Sequence, residues 1–256
     1  MIGYRLSRTG LAKNPFPVTH IGIGLWSVEE LCYYICTNPA LVDSTLLNYS
    51  LTRWLAEEFH LTDIALAVER QIRKDAKTAD IVLPLLRGTG YLDARELARF
   101  TAQLDSMAAG GVAMRLRMKA DALLRNRRYG EAISAYEQAA SYAQKYSAPF
   151  RAALHHNRGV ALTRLLSYEE AYRAFREALS LEDTKERRRT CLLAAGLAKP
   201  SEKLILEAEA IGADDEMLHE VRSLLDAASS VNVAMPEDPV RELERIRHDY
   251  HTEAGV

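Results

Sequence analysis

YGEAISAYEQAA at residues 129–140 and YEEAYRAFREAL at residues 168–179 align without a gap. Tyr129, Ala132, Tyr136 and Ala139 in the first stretch correspond to Tyr168, Ala171, Phe175 and Ala178 in the second. Both sets are spaced by three, four and three residues, so each falls on one face of a helix. The alanines let a second helix approach closely, and the ring fills the space beside them. At equal distances upstream, Leu116, Ala120 and Leu123 match His155, Gly159 and Leu162. The small residue, Ala120 or Gly159, sits where two helices must cross. The chain therefore holds two copies of a helix–turn–helix unit, 39 residues apart where 34 would be the common period.

The composition agrees with this reading across all 256 residues. There are 37 Ala and 35 Leu against 36 Val, Ile and Thr together, and Gly and Pro total only 21. Helix formers dominate and helix breakers are scarce, which excludes a barrel, a sandwich, a collagenous chain and a disordered one. The expected fold class is all-α: an array of helical hairpins (an α-solenoid), an irregular helical N-terminal region and at most a short N-terminal β segment. A net charge of -2 hides segregation. Residues 1–110 carry 11 basic and 12 acidic side chains, residues 111–199 carry 17 and 9, and residues 200–256 carry 5 and 14. Blocks of +8 and -9 mark interaction surfaces, or one part of a chain answering another.

Three regions follow from the pattern. Residues 1–109 read as mostly helical, with a strand at 15–27 and a capping-box pair, Ser27 and Glu30, opening a helix to Thr37. Helices over 41–48, 51–59, 63–74, 78–86 and 93–107 come next, the last capped by Asp93. Ala109-Gly110-Gly111 ends this region. Residues 110–230 form the repeat region, with turns near 126–128, 147–149 and 166–167 and further helices over 184–228 broken at Lys199-Pro200 and Gly212. The five-residue surplus between the repeats falls in 143–151 and predicts a longer second helix and a longer loop at Pro149. Residues 231–256 form a linker and an acidic C-terminal helix.

The two units, 113–146 and 152–185, resemble the tetratricopeptide repeat (TPR), with a degenerate third unit around 186–220. Lys119 and Ala120 stand where the family has Leu-Gly, and Asp183 stands where it has a terminating proline. The resemblance implies a concave groove lined by the first helix of each unit, binding a peptide or helix. By register the groove positions are Met114, Arg117, Asp121, Leu124 and Arg125, then Ala153, His156, Val160, Thr163 and Arg164. Arg117 aligns with His156 and Arg125 with Arg164, giving two basic rows, and Asn157 matches an asparagine able to hold a peptide backbone. An acidic protein segment or a carboxylate is the implied ligand. Asp121 stands where the chaperone-tail carboxylate clamp of the family needs an asparagine, which weakens that particular resemblance.

The expected function is a non-enzymatic adaptor or scaffold that binds a protein segment. A peptide-responsive regulator, or an enzyme with an unrecognised helical active site, stays open as an alternative. The acidic tail (Glu237, Asp238, Glu242, Glu244, Asp249) is a candidate intramolecular occupant of the groove, and the N-terminal aromatics are a candidate surface for homo-oligomerisation.

No catalytic residue, metal site or cofactor is expected. Cys32 and Cys36 lie one helical turn apart without two further ligands, and Cys191 is isolated. Gly22-x-Gly24-x-x-Ser27 lacks the second strand and acidic residue of a dinucleotide site. Arg127-Arg128 and Arg187-Arg188-Arg189 are short runs without interleaved aromatics, so nucleic acid is not an expected partner. Three cysteines form no disulfide framework, and 18 uncharged apolar residues never occur in a row, so a soluble cytoplasmic protein with no membrane partner is expected.

Overall fold

The computed structural model describes residues 10–198, 204–230 and 238–254. Among these the chain is mostly helical, with one small sheet. Strands β1 (Phe16–Val18) and β2 (Ile23–Leu25) pair antiparallel with Phe16 opposite Leu25 and Val18 opposite Ile23. The single strand expected over 15–27 is thus a hairpin, turned at Thr19–Gly22, where Gly22 takes φ +67°. Helix α1 (Val28–Thr37) starts at Ser27, whose Oγ accepts the Glu30 amide at 3.1 Å. The Glu30 carboxylate accepts from the Trp26 amide rather than from Ser27, one residue short of a reciprocal box.

The helix expected over 41–48 does not form. A single 3-10 turn at Pro39–Leu41 is followed by loop, because polar side chains there serve the local backbone instead. Asp43 accepts the Thr45 amide at 3.0 Å, and Asn48 caps the next helix by accepting from the Ser50 and Leu51 amides. Helices α2 (Tyr49–Phe59), α3 (Thr62–Arg73), α4 (Thr78–Gly88) and α5 (Ala94–Ala109) then pack in sequence. Asp93 and Glu96 form a full capping box at the start of α5.

The repeat region supplies two matching hairpins, α6 (Val112–Arg125) with α7 (Tyr129–Ser141) and α8 (Ala148–Arg164) with α9 (Tyr168–Leu181). Their turns agree residue by residue. Asn126, with φ -84° and ψ 13°, matches Leu165 at -92° and 8°, and Arg128, at -85° and 67°, matches Ser167 at -82° and 64°. Between them Arg127 and Leu166 are both left-handed, with φ +60° and +62°. The surplus residues do not lengthen α7, which has 13 residues against 14 in α9. They fill the loop 142–147 and an earlier start of α8. Pro149 lies in the first helical turn of α8, where its missing N–H costs nothing. Tyr146 stacks on Phe150 at 4.5 Å and ties that loop down.

Helices α10 (Lys185–Ala198), α11 (Leu204–Ala210) and α12 (Asp215–Ser229) extend the array, with a left-handed Gly212 closing α11 and Asp214 capping α12. The expected break at Lys199-Pro200 lies outside the described residues, as do 231–237 of the linker. Among the described residues helix α13 (Pro239–Ala254) shares no extended interface with another element.

The alanines predicted at helix crossings are all inaccessible: Ala120, Ala132, Ala139, Ala171 and Ala178. At Gly159 an added Cβ would lie 2.7 Å from the Phe175 ring, so only glycine fits that crossing. One apolar core runs from Ala12 to Leu154 without interruption at Gly110-Gly111, and a second runs from Leu162 to Val221. The N-terminal region meets α6 through polar contacts as well. Lys119 Nζ donates to Asp43 Oδ2 at 3.0 Å, and Asn126 Nδ2 donates to Asn38 Oδ1 at 2.9 Å. Lys119 thus faces a carboxylate from outside its hairpin, whereas its equivalent in the second hairpin, Arg158, pairs with Glu177 of α9.

Candidate functional site

Helices α6 to α10 pack consecutively through short connections, so α6, α8 and α10 run in the same direction. Their register places Arg117, Asp121 and Arg125 of α6 on one face with His156, Asn157, Val160 and Arg164 of α8. Arg187 of α10 lies close enough to act electrostatically on His156. The structure draws Arg117, Asp121 and Asn157 into one polar network. Asp121 Oδ1 accepts from the Tyr136 hydroxyl at 2.5 Å and from Asn157 Nδ2 at 3.0 Å. Arg117 Nε lies 3.7 Å from Asp121 Oδ2, and its guanidinium rests over the Phe150 ring at 5.1 Å.

This network changes what the face offers. The Asp121 carboxylate is balanced by Arg117 and held by two hydrogen bonds, so it is not a bare anion. Asn157 spends its amide N–H on Asp121, leaving its carbonyl oxygen as the acceptor. Burial, followed by the bond to Asp121, pushes the Tyr136 phenol up, so it remains a donor. His156 stands edge-on to Phe175 at 5.2 Å, with a buried Nδ1 that has no hydrogen-bond partner among the described residues. Burial first, and Arg187 second, lower its pKa and favour the neutral ring. Arg187 pairs with Glu182.

The two expected basic rows thus differ in character. The inner row, Arg117 and His156, is half-buried against rings. The outer row, Arg125 and Arg164, is exposed at the ends of α6 and α8, and no described carboxylate pairs with either. Val160 and Thr163 are half-buried between the rows. Sequence reasoning read Tyr136 only as a packing ring and did not name Phe150. A signal for the first was present: Tyr136 occupies a ring position filled by Phe175 in the second unit, and a buried hydroxyl needs a partner.

Other ionisable groups gather where the N-terminal region meets α6. His20 Nε2 lies 3.0 Å from both oxygens of Asp43, whose Oδ1 also accepts from Thr45 Oγ1 at 2.7 Å. Burial alone would raise the Asp43 pKa, but the hydrogen bonds from Thr45, His20 and Lys119 outweigh it and hold the carboxyl well below its usual range. These charges answer one another and fasten two parts of the molecule. Cys32 and Cys36 are buried on α1, and burial pushes both thiols up to about 12, which leaves them poor nucleophiles. Among the described residues no group of three or more His, Cys, Asp or Glu is arranged to hold a metal ion.

A pocket of about 650 Å³ between α4 and α5 is lined by Leu83, Arg87, Leu92 and Leu97 and lies away from this face. Of the N-terminal aromatics, Trp54 is buried between Phe16 and Phe59 and donates to the Asn14 carbonyl at 2.8 Å. Trp26 and Tyr49 remain exposed. The acidic C-terminal helix does not cover the face, since Val240, Leu243 and Ile246 are 68, 58 and 53 % exposed. Among the described residues no helix is long and apolar enough to cross a membrane. No protein-family model, curated protein or solved structure matches the chain.

Proposed function

We propose that the chain is a non-enzymatic adaptor whose TPR-like hairpins capture a segment of another protein on the face of α6, α8 and α10. The observation that carries this reading is the Asp121–Asn157 bond. It joins two parallel helices at 3.0 Å and fixes a polar ledge one to two helical turns before the open arginines, Arg125 and Arg164. A ledge braced by buried rings is pre-organised, which lowers the ordering cost of binding. The unmatched cations steer an acidic segment toward it, and the Asn157 carbonyl oxygen accepts a backbone N–H of the ligand. Cytoplasmic residence belongs to the same reading, supported by a count of three cysteines, too few for a disulfide framework.

Reversing both exposed charges, Arg125→Glu with Arg164→Glu, should abolish partner capture from a cell extract and leave the helical circular dichroism unchanged. Capture that survives the double reversal would exclude this face. Capture by the native chain should also weaken as salt rises from 0.05 to ~0.3 M, because exposed charges are screened.

A further inference from the structure

The groove of about 650 Å³ between α4 and α5 takes its walls, among the described residues, from these two helices and their connection alone. Leu83 and Arg87 of α4 form one side, and Ala94, Ala98, Ala102 and Asp105 of α5 form the other. The three alanines recur at four-residue spacing and all are exposed. The intramolecular core does not call for them, because α5 packs inward through Leu97, Phe100 and Leu104. A row of small side chains lets a second helix approach closely and gives up no rotamer entropy on burial.

Charge is distributed along this groove in one direction. Arg87 and Asp105 are the charged residues that line it among the described residues, and they stand at opposite ends. Arg95, exposed one residue beyond Ala94, adds a second cation at the Arg87 end. None of the three has an ion-pair partner among the described residues. The acidic residues nearest the basic end, Asp93 and Glu96, are taken up in the capping box of α5. Near the acidic end, Lys77 and Arg115 line a separate pocket beyond Asp105, and Arg115 is engaged by the Ala108 and Gly110 carbonyls. Arg99 lies about 100° round the helix from Ala98, on the solvent side.

A two-fold contact brings one patch onto itself, so the patch must be its own complement. This one is. With two copies of α5 antiparallel, Asp105 of each copy reaches the end that holds Arg87 and Arg95 of the other. Setting Asp105 opposite Arg95 also sets Ala98 opposite Ala102 and Ala94 opposite Ser106, with every pair occurring twice. No large side chain stands between the two helices, and Leu83 closes the contact from the α4 side.

We propose that the α4–α5 groove is the two-fold interface of a homodimer, in which α5 of each copy lies antiparallel across α5 of the other. None of its residues belongs to the face of α6, α8 and α10, so dimerisation and partner capture fail independently.

The test is sedimentation equilibrium on the full chain, with helical circular dichroism as the check on folding. The native chain should form dimers, and Asp105→Arg should weaken them about tenfold, since one substitution turns two symmetric attractions into repulsions. Adding Arg87→Asp with Arg95→Asp to that chain should restore the native affinity to within about threefold. As a check on register, chains carrying Ala98→Cys and Ala102→Cys should, when mixed and mildly oxidised, link 98 to 102 in preference to 98 to 98. A native chain that stays monomeric to about 100 μM would overturn the proposal. So would a dimer indifferent to Asp105→Arg, which would place the contact elsewhere, as at the exposed Trp26 and Tyr49. Failure of the charge exchange to restore affinity, or links without preference for 98 to 102, would overturn it equally.

Discussion

Tyr136 and Phe175 fill equivalent places in the two repeats, but only Tyr136 has a hydroxyl, and that hydroxyl anchors Asp121. Removing it in Tyr136→Phe leaves a half-buried carboxylate one donor short, at a cost of about 1 kcal/mol in urea unfolding. A loss indistinguishable from zero would show that water already serves Asp121. His156 makes a second prediction at this scale. Burial lowers its folded pKa below the unfolded value of about 6.5, so protonation favours the unfolded chain. The stability it contributes is fully present above pH 6.5 and is lost as pH falls through the folded pKa. Melting temperatures should therefore drop between pH 7.5 and 5.5, and His156→Leu should flatten that drop; an unchanged slope would place its cause elsewhere. Asp43 adds a stage at lower pH, since its depressed pKa gives stability above about pH 4 that disappears on further acidification. Most of these residues could be named from the sequence, but their bonds could not. Register predicts which side chains share a face, whereas the Asp121–Asn157 bond depends on the distance between two helices.

At the scale of the element, the repeat was legible because small residues and rings recur at fixed spacings. Gly159 is the sharpest case. Its Cβ position is occupied by the Phe175 ring, so Gly159→Val should cost about 2–3 kcal/mol by overpacking, despite the poor helix propensity of glycine. Equal or higher stability would mean that α8 and α9 separate more easily than their packing implies. The helix expected over 41–48 failed for a reason that periodicity does not register: the Asp43 and Asn48 side chains satisfy nearby backbone groups, including the Thr45 N–H and carbonyl, and end the helical pattern. The hairpin at 16–25 was hidden because its alternation continues on both sides of the turn. Proline misled in the other direction, as Pro149 opens α8 rather than standing in a loop.

For the whole molecule, the glycine pair at 110–111 ends a helix but does not divide the core, which continues from Ala12 to Leu154. A fragment starting at residue 110 would lose the packing of α6 on the Pro39–Leu41 turn and the Lys119–Asp43 and Asn126–Asn38 contacts. It should aggregate or lose helicity in the α6–α7 hairpin, measurable by circular dichroism, whereas a stable, fully helical fragment would show an independent unit. The charge blocks acquire positions at this scale. Part of the positive excess of 111–199 is answered from outside that block, Lys119 by Asp43, Arg176 by Glu207 and Arg189 by Glu220, and Arg125 and Arg164 stand out as open. The account rests on their side of the array being the surface that meets a partner. The most direct measurement places a photo-activatable cross-linker at Met114 or Arg164 on this face, and at Glu169 on the exposed surface of α9, in living cells. The account predicts partner adducts from Met114 and Arg164 and none from Glu169; adducts from Glu169 alone, or equally from all three, would contradict it.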